Sequence, residues 1–434
     1  MPHRFSALAI LVLIASLLVE PEASDKGWPQ GKTYELSGLR VSLSAPVLVG
    51  RSKDYFWFPQ IQLLPNGELI AIIRTCADDW PFEDKSAVLW SANNGLSWSK
   101  PEPYKPESFA QLLAPSGEML LLPLLVYPRP NGVGGIYHVI PNSKREVNRE
   151  LGEMIVTGLP KPFLSPYPPQ GAVGFIDGQT VKIKDGKYLA PVYAYFKDYD
   201  EQIFKRVGGQ YLATTREGGY THKKYNLMAA ESDDGIRWKI RSIITDENSS
   251  VAGIDGPSES AIVRLVDGRL MCLFGQAKPF GLGKTYGQTW SSDEGKTWTT
   301  PVAASGPYGV EPCLVVMKDG TLVLSGGRPG LYLGFNINGT GKDWQMIDTA
   351  NFHSASQPKD SIETGTAVRT SHGTTTPVIL TGADKHTTGY AEVVAIDEKR
   401  LLYIYDRIPN GWDLAPKGSS ESFTVWVVQV TLER

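Results

Sequence analysis

Cysteine is nearly absent from this chain of 434 residues: Cys76, Cys272 and Cys313 are all there are, an odd number with no metal-ligand spacing between any two. A disulfide framework and a cysteine-held metal are therefore excluded as what holds the fold together. Each of the three lies in an apolar, strand-like run where a buried free thiol is expected. Charge of one sign is equally scarce. Lys and Arg total 43 against 46 for Asp and Glu, a formal net charge of −3, which gives no reason to expect nucleic acid or an anionic membrane as partner. Neither a phosphate-cradling glycine loop nor a His/Cys cluster is present, so no cofactor is expected. Long amphipathic helical patterns are lacking, and so is any apolar run long enough to cross a bilayer. The run Ala7–Val19 follows His3 and Arg4 and precedes Pro21-Glu22-Ala23, and it reads as the core of a secretory signal peptide over residues 1–23. The alternative is an uncleaved N-terminal anchor. No linker divides the remainder, so residues 24–434 are read as one monomeric domain, secreted or periplasmic.

What the chain does have is glycine (44), proline (31) and 10% aromatic residues, a composition suited to many short strands and tight turns. One short pattern recurs. It reads Ser91-Ala92-Asn93-Asn94-Gly95-Leu96-Ser97-Trp98, then Ser232-Asp233-Asp234-Gly235-Ile236-Arg237-Trp238, then Ser292-Asp293-Glu294-Gly295-Lys296-Thr297-Trp298. A degenerate copy runs from Asn336 through Asn338 and Gly339 to Trp344. Ser and Asp/Asn side chains bond back to nearby amides, Gly takes the left-handed turn position, and Trp packs the base of the turn. Three or four copies mean an array of similar β-sheets.

A second repeat is independent of the first. Polar-Gly turns stand at Asn66-Gly67, Ser116-Gly117, Asp185-Gly186, Asp267-Gly268 and Asp319-Gly320, with a glycine-less sixth at Asp397-Glu398-Lys399. Each is flanked by alternating or apolar strands, as in Ala261–Leu265 and Leu270–Phe274. Six hairpins predict an all-β, six-bladed β-propeller, closed by pairing Thr424–Leu432 with a strand near Val41–Val49. The first strand of each blade lines the central channel. Counting nine residues back from each turn Gly, or from Lys399, gives Phe58, Ser108, Asp177, Glu259, Glu311 and Tyr390. Four of the six carry a carboxyl or phenol, a ring expected of a substrate pocket.

These turns and strand starts resemble the sialidase (neuraminidase) superfamily, with its Asp-box turns on a six-bladed propeller, over roughly Tyr55–Arg407. Asp boxes are shared with non-enzymatic propellers, so catalytic roles follow only residue by residue. Asp79, twelve residues before Ser91, matches the family's acid/base aspartate, with Asp78 and Asp84 as rivals. Ser258-Glu259-Ser260 matches the strand start whose glutamate activates the nucleophile. Gly389-Tyr390-Ala391-Glu392 matches the nucleophile strand, with Asp406 where the family has a glutamate. Arg328, eight residues before Asn336, matches the third of three arginines that clamp the substrate carboxylate. Trp57 stands where the first arginine belongs, and Gln276 where the second does. Arg74 or Arg369 are the candidates to fill in. Substrate-binding roles are also expected for Glu311, which opens a cysteine-containing strand like the family's, and for Asp177 from its place in the ring.

The chemistry this resemblance implies is retaining glycoside hydrolysis with a tyrosine nucleophile, because a neutral phenol approaches an anomeric carbon bearing a carboxylate without repulsion. A phenol with a pKa of about 10 needs a base, the role Glu259 would take. Asp79 would protonate the leaving oxygen and later activate water. Loss of two clamp arginines points to a terminal sugar other than ordinary sialic acid, a uronic acid or a neutral residue, with Trp57 offering a face for stacking. Two rivals belong to other classes. One is a polysaccharide lyase using His138, or His222 with Tyr225; the other is a non-catalytic glycan-binding propeller.

Overall fold

The computed structural model of the chain describes residues 27–78, 85–104, 110–141, 145, 147–160, 174–194, 204–207, 210–214, 220–222, 225–251, 256–276, 285–362, 367–369, 378–380 and 386–434. The N-terminal run read as a signal peptide, Asp79, Asp84 and Ser108 lie outside them. Among the described residues the fold is strands throughout, apart from one short α-helix, Thr349–Ser356, and a 3-10 turn. No helix among them is long and apolar enough to cross a membrane.

Three sheets are antiparallel four-stranded meanders, beginning at Trp57–Leu63, Pro257–Arg264 and Val310–Val316. A ten-stranded sheet comprises two antiparallel groups, joined where Ile155–Thr157 pairs in parallel with Arg237–Lys239 and again through Leu125–Arg129, which pairs with both Gly132–Ile140 and Gly174–Ile176. In the closing sheet the C-terminal strand Phe423–Glu433 pairs on one side with Arg400–Arg407. Its other side pairs with two N-terminal strands, Val41 opposite Leu432 and Val47 opposite Val427. The expected closure is therefore present. The two chain ends are thereby joined in one sheet, which covers both edges of the C-terminal strand. The first strands of consecutive sheets pack side by side: Pro257–Arg264 against Val310–Val316, that against Ala391–Ala395, and that against Trp57–Leu63. The apolar cores lie between the sheets, as the cluster joining Phe56, Ile61 and Leu89 to Leu402, Ile404 and Val425 illustrates. In the inner strands of the sheets, such as Leu69–Arg74, Leu322–Gly327 and Leu331–Asn336, inward and outward positions are both buried, so these strands read as near-continuous apolar runs.

The polar-Gly turns share one geometry. Gly67, Gly117, Gly186, Gly268 and Gly320 all have φ between 85° and 88°. Each donates its N–H to the carbonyl three residues earlier, as Gly268 does to Leu265 at 3.0 Å. At the glycine-less sixth turn the Asp397 carboxylate accepts from the amides of Lys399 and Arg400 instead.

The recurrent Ser-to-Trp turns follow the third strand of their sheets, and one detail of the sequence reading is corrected. In the third copy the working serine is Ser291, whose Oγ donates to Asp293 and accepts from the Gly295 amide at 2.8 Å. Ser291 is two residues before Asp293, as Ser91 is before Asn93 and Ser232 before Asp234; Ser292 is exposed. Desolvation alone would raise the Asp293 carboxyl, but bonds from Thr297, Ser291 and Lys296 bring it down to about 2. A depressed carboxyl stabilises the fold above its unfolded pKa of about 4, and that contribution is lost as pH falls toward 2. Asp293→Ala is expected to cost about 1–2 kcal/mol at pH 7. In chemical-denaturant titrations the gap to wild type should narrow below pH 3.

Candidate active site

The strand starts that face the channel share a backbone device. Phe58, Glu259 and Glu311 occupy the left-handed region, with φ of 49°, 42° and 40°. Each sits where the register of its first strand shifts against the second. A bulge of this kind breaks the ladder and re-aims one side chain, and a non-glycine residue there carries strain of about 1–3 kcal/mol. The two other described ring positions use a neighbouring glycine. Gly178 follows Asp177 and lies so close to the Ser260 carbonyl that a Cβ would stand 1.7 Å from its oxygen. Gly389 precedes Tyr390 at φ 78° and packs against Arg328.

The bulges bring the ring together. The Tyr390 hydroxyl donates to Glu259 Oε1, while Glu259 Oε2 accepts from the Glu311 amide at 3.3 Å. Asp177 Oδ2 accepts from the Tyr193 hydroxyl at 3.1 Å, and the Asp177 and Glu311 carboxyls are within hydrogen-bonding reach of each other. Burial pushes Asp177 up to about 6 and Glu311 well above the carboxylate range, each reinforced by neighbouring acids. Tyr390 is raised well above a free phenol, by burial first and then by the charge of Glu259, with Arg328 opposing. Two residues further along its strand, Glu392 is buried, accepts from the Ile61 amide at 2.8 Å and is raised to about 8 by desolvation.

Above this ring lies an aromatic and cationic cluster. Phe58 meets Tyr390 edge-on at 4.7 Å between centroids. The Arg328 guanidinium stands 5.3 Å from the Tyr390 ring and 5.2 Å from that of Trp412, and it donates through Nε and Nη2 to the Thr388 carbonyl. Beneath, the fully buried Asp406 accepts four bonds: from the amides of Phe58 and Thr388 and the hydroxyls of Thr387 and Thr388. One carboxylate thus ties the start of one sheet to the loop that carries Tyr390. Arg74 is buried beside Phe58, 5.6 Å from its ring, and pairs with Asp78 at 3.0 Å.

Of the residues singled out from sequence, Asp177, Glu259, Glu311, Arg328 and Tyr390 are brought to one place, with Arg74 on the far side of Phe58. Trp57 is a correction. It is 1% exposed, its Nε1 donates to the Cys76 carbonyl at 2.9 Å, and its ring packs among Tyr55, Phe58, Trp412 and Phe423, so no face is left for a sugar. Bulging at Phe58, rather than Trp57, is what turns Trp57 into the core. His138 is also buried, edge-on to Tyr104 of the neighbouring sheet, and desolvation lowers it to about 4. Tyr225 instead stacks edge-on against Tyr193, one step from Asp177. Asp79 and the side chains of Gln276, Arg369 and His222 lie outside the described residues. The three cysteines are buried free thiols, as expected. Sequence reasoning missed Trp412, Thr388, Tyr193 and Glu392. Only Glu392 had a signal, since it stands two residues beyond a ring position and so faces the same channel.

No family model matches the chain, and no curated protein does. Solved structures do match. A protein of unknown function from Dyadobacter fermentans is 16% identical, with a TM-score of 0.59, over 91% of this chain and 99% of that one. An α-L-arabinanase from Penicillium chrysogenum, complexed with arabinobiose, is 12% identical, with a TM-score of 0.52, over 89% and 98%. The NanB sialidase of Streptococcus pneumoniae is 14% identical, with a TM-score of 0.49, over 90% of this chain and 70% of that one. The fold is the β-propeller that the arabinanase also has.

Proposed function

We propose that the chain is a secreted exo-glycosidase, a single six-bladed propeller over residues 24–434 in which the ten-stranded sheet counts as two blades. It acts by a retaining mechanism on the terminal sugar of a glycan. The observation that carries this reading is the hydrogen bond from the Tyr390 hydroxyl to Glu259, at the point where the first strands converge. In the first step Tyr390 Oη attacks the anomeric carbon and its proton passes to Glu259, while Asp79 protonates the departing glycosidic oxygen. In the second, Asp79 takes a proton from water, the water oxygen bonds to the anomeric carbon, and Glu259 returns its proton to the phenol. Arg328 lies against the Tyr390 ring, where its positive charge favours the developing phenolate.

The substrate this site fits is neutral or a uronic acid rather than ordinary sialic acid. Arg328 spends Nε and Nη2 on the Thr388 carbonyl, and Arg74 is paired with Asp78, so neither stands as an open bidentate clamp. The arabinanase with the same fold holds a neutral sugar, which puts arabinosides on the panel. Sugar release should be measured from neutral pentosides and hexosides, uronic-acid-capped glycans and sialosides. Release from one of the first two classes, at least about 100-fold faster than from sialosides, is expected, equivalent to about 2.7 kcal/mol of transition-state discrimination. Sialosides as best substrate would contradict the substrate reading, and binding of glycans without release from any would contradict the enzymatic one.

A further inference from the structure

The mechanism above leaves two buried carboxyls unused. Asp177 and Glu311 are 3% and 5% exposed and come from different sheets, yet their carboxyls lie against each other. Atom by atom, Asp177 Oδ2 takes the Tyr193 hydroxyl. Asp177 Oδ1 and Glu311 Oε2 are both buried with no conventional donor. Two ionised carboxylates in contact at low dielectric repel strongly, whereas one proton between them satisfies both vacant oxygens at once. We propose that Asp177 and Glu311 hold a single proton between Asp177 Oδ1 and Glu311 Oε2, and that this pair positions Glu259 beside Tyr390.

The positioning follows from connectivity. Glu311 touches Glu259 through its own backbone amide, at a residue held in the left-handed region. The side-chain bond to Asp177 anchors that backbone, the amide orients Glu259 Oε2, and Oε1 is thereby aimed at the Tyr390 hydroxyl. The titratable groups facing the pair are Tyr193, with Tyr225 behind it, Tyr286, Glu259, Tyr390 and Glu392, all acids or phenols, while the Gly178 amide donates to Asp177 and Arg328 acts on Tyr390. That company favours keeping the proton, in line with the upward displacement of both carboxyls.

The first half of the proposal is independent of the glycosidase reading; the second rests on it. Free Asp and Glu lose their protons near pH 4. A folded pair that keeps one proton binds more than the unfolded chain does, so its contribution to stability falls as pH rises from 4 toward and beyond 6. Glu311→Gln replaces the shared proton with a permanent N–H donor and removes this dependence. The folding equilibrium constant of wild type, relative to that of Glu311→Gln, is expected to fall by up to tenfold per pH unit between pH 6 and 8. Asp177→Asn should give the same divergence, so either variant suffices should the other not fold. Parallel stability curves would overturn the shared proton. For positioning, Glu311→Ala is expected to lower kcat at least about tenfold with little change in KM, and Glu311→Gln to restore most of it. Equal loss in both would overturn that half. A wild type without glycosidase activity would leave the stability curves to decide the proton by themselves.

Discussion

Tyr390→Phe is expected to lower turnover by about 10³-fold or more on whichever glycan wild type cleaves, about 4 kcal/mol in the barrier, with little change in KM. The substitution conserves the ring that packs between Phe58 and Arg328, so the site keeps its shape. It removes the atom that would bond to the anomeric carbon and the proton that Glu259 would accept. Glu259 Oε1 then loses its phenol partner, which is expected to cost about 1–2 kcal/mol of stability and no more. Steady-state kinetics beside denaturant unfolding separates the two effects. Turnover within tenfold of wild type would remove Tyr390 from the chemistry.

The second large effect is expected at Asp406. Asp406→Ala leaves four buried donors without an acceptor: the amides of Phe58 and Thr388 and the hydroxyls of Thr387 and Thr388. Each such group carries a desolvation penalty, and the set is expected to total about 3–5 kcal/mol after relaxation. The damage should not stay local. Thr388 Oγ1 also accepts from the Tyr390 amide, and the Thr388 carbonyl holds Arg328, so releasing this loop loosens both. Asp406→Asn keeps the volume and one acceptor oxygen but turns an N–H₂ toward two donors, so an intermediate loss is expected. Thermal unfolding and turnover of the two variants should decline together, Ala below Asn. An unchanged melting temperature in Asp406→Ala would contradict the positioning role.

The fold was legible because its signals are local and repeated. Five helix-free hairpins with Gly in the left-handed position need no knowledge of distant contacts, and the pairing of the two chain ends follows once a ring is inferred. The ring positions were legible for the same reason. A fixed distance from the turn finds Phe58, Glu259 and Glu311 because strand length between turn and bulge is the same in their sheets. Other parts are not local. Trp57 and Phe58 are adjacent aromatics, and only the bulge decides which faces the channel and which enters the core. Trp412 lies in the long connection before the last strand, and nothing in its neighbourhood marks it. Tyr193 and Thr388 act through partners distant in sequence or through a loop shape that composition does not encode. Asp406 was noticed for its place in a resemblance, but its role, holding two backbone amides and two hydroxyls, depends on three-dimensional convergence.

The most direct test of the account is to identify the atom that bonds to the sugar. Wild type would be incubated with a slow, mechanism-based fluorosugar version of its best substrate, quenched in acid, digested and analysed by mass spectrometry. The account predicts a glycosyl adduct on the peptide containing Tyr390, absent in Tyr390→Phe. An adduct on Asp177, Glu259 or Glu311 instead would contradict it, and would make the phenol a bystander to a carboxylate nucleophile.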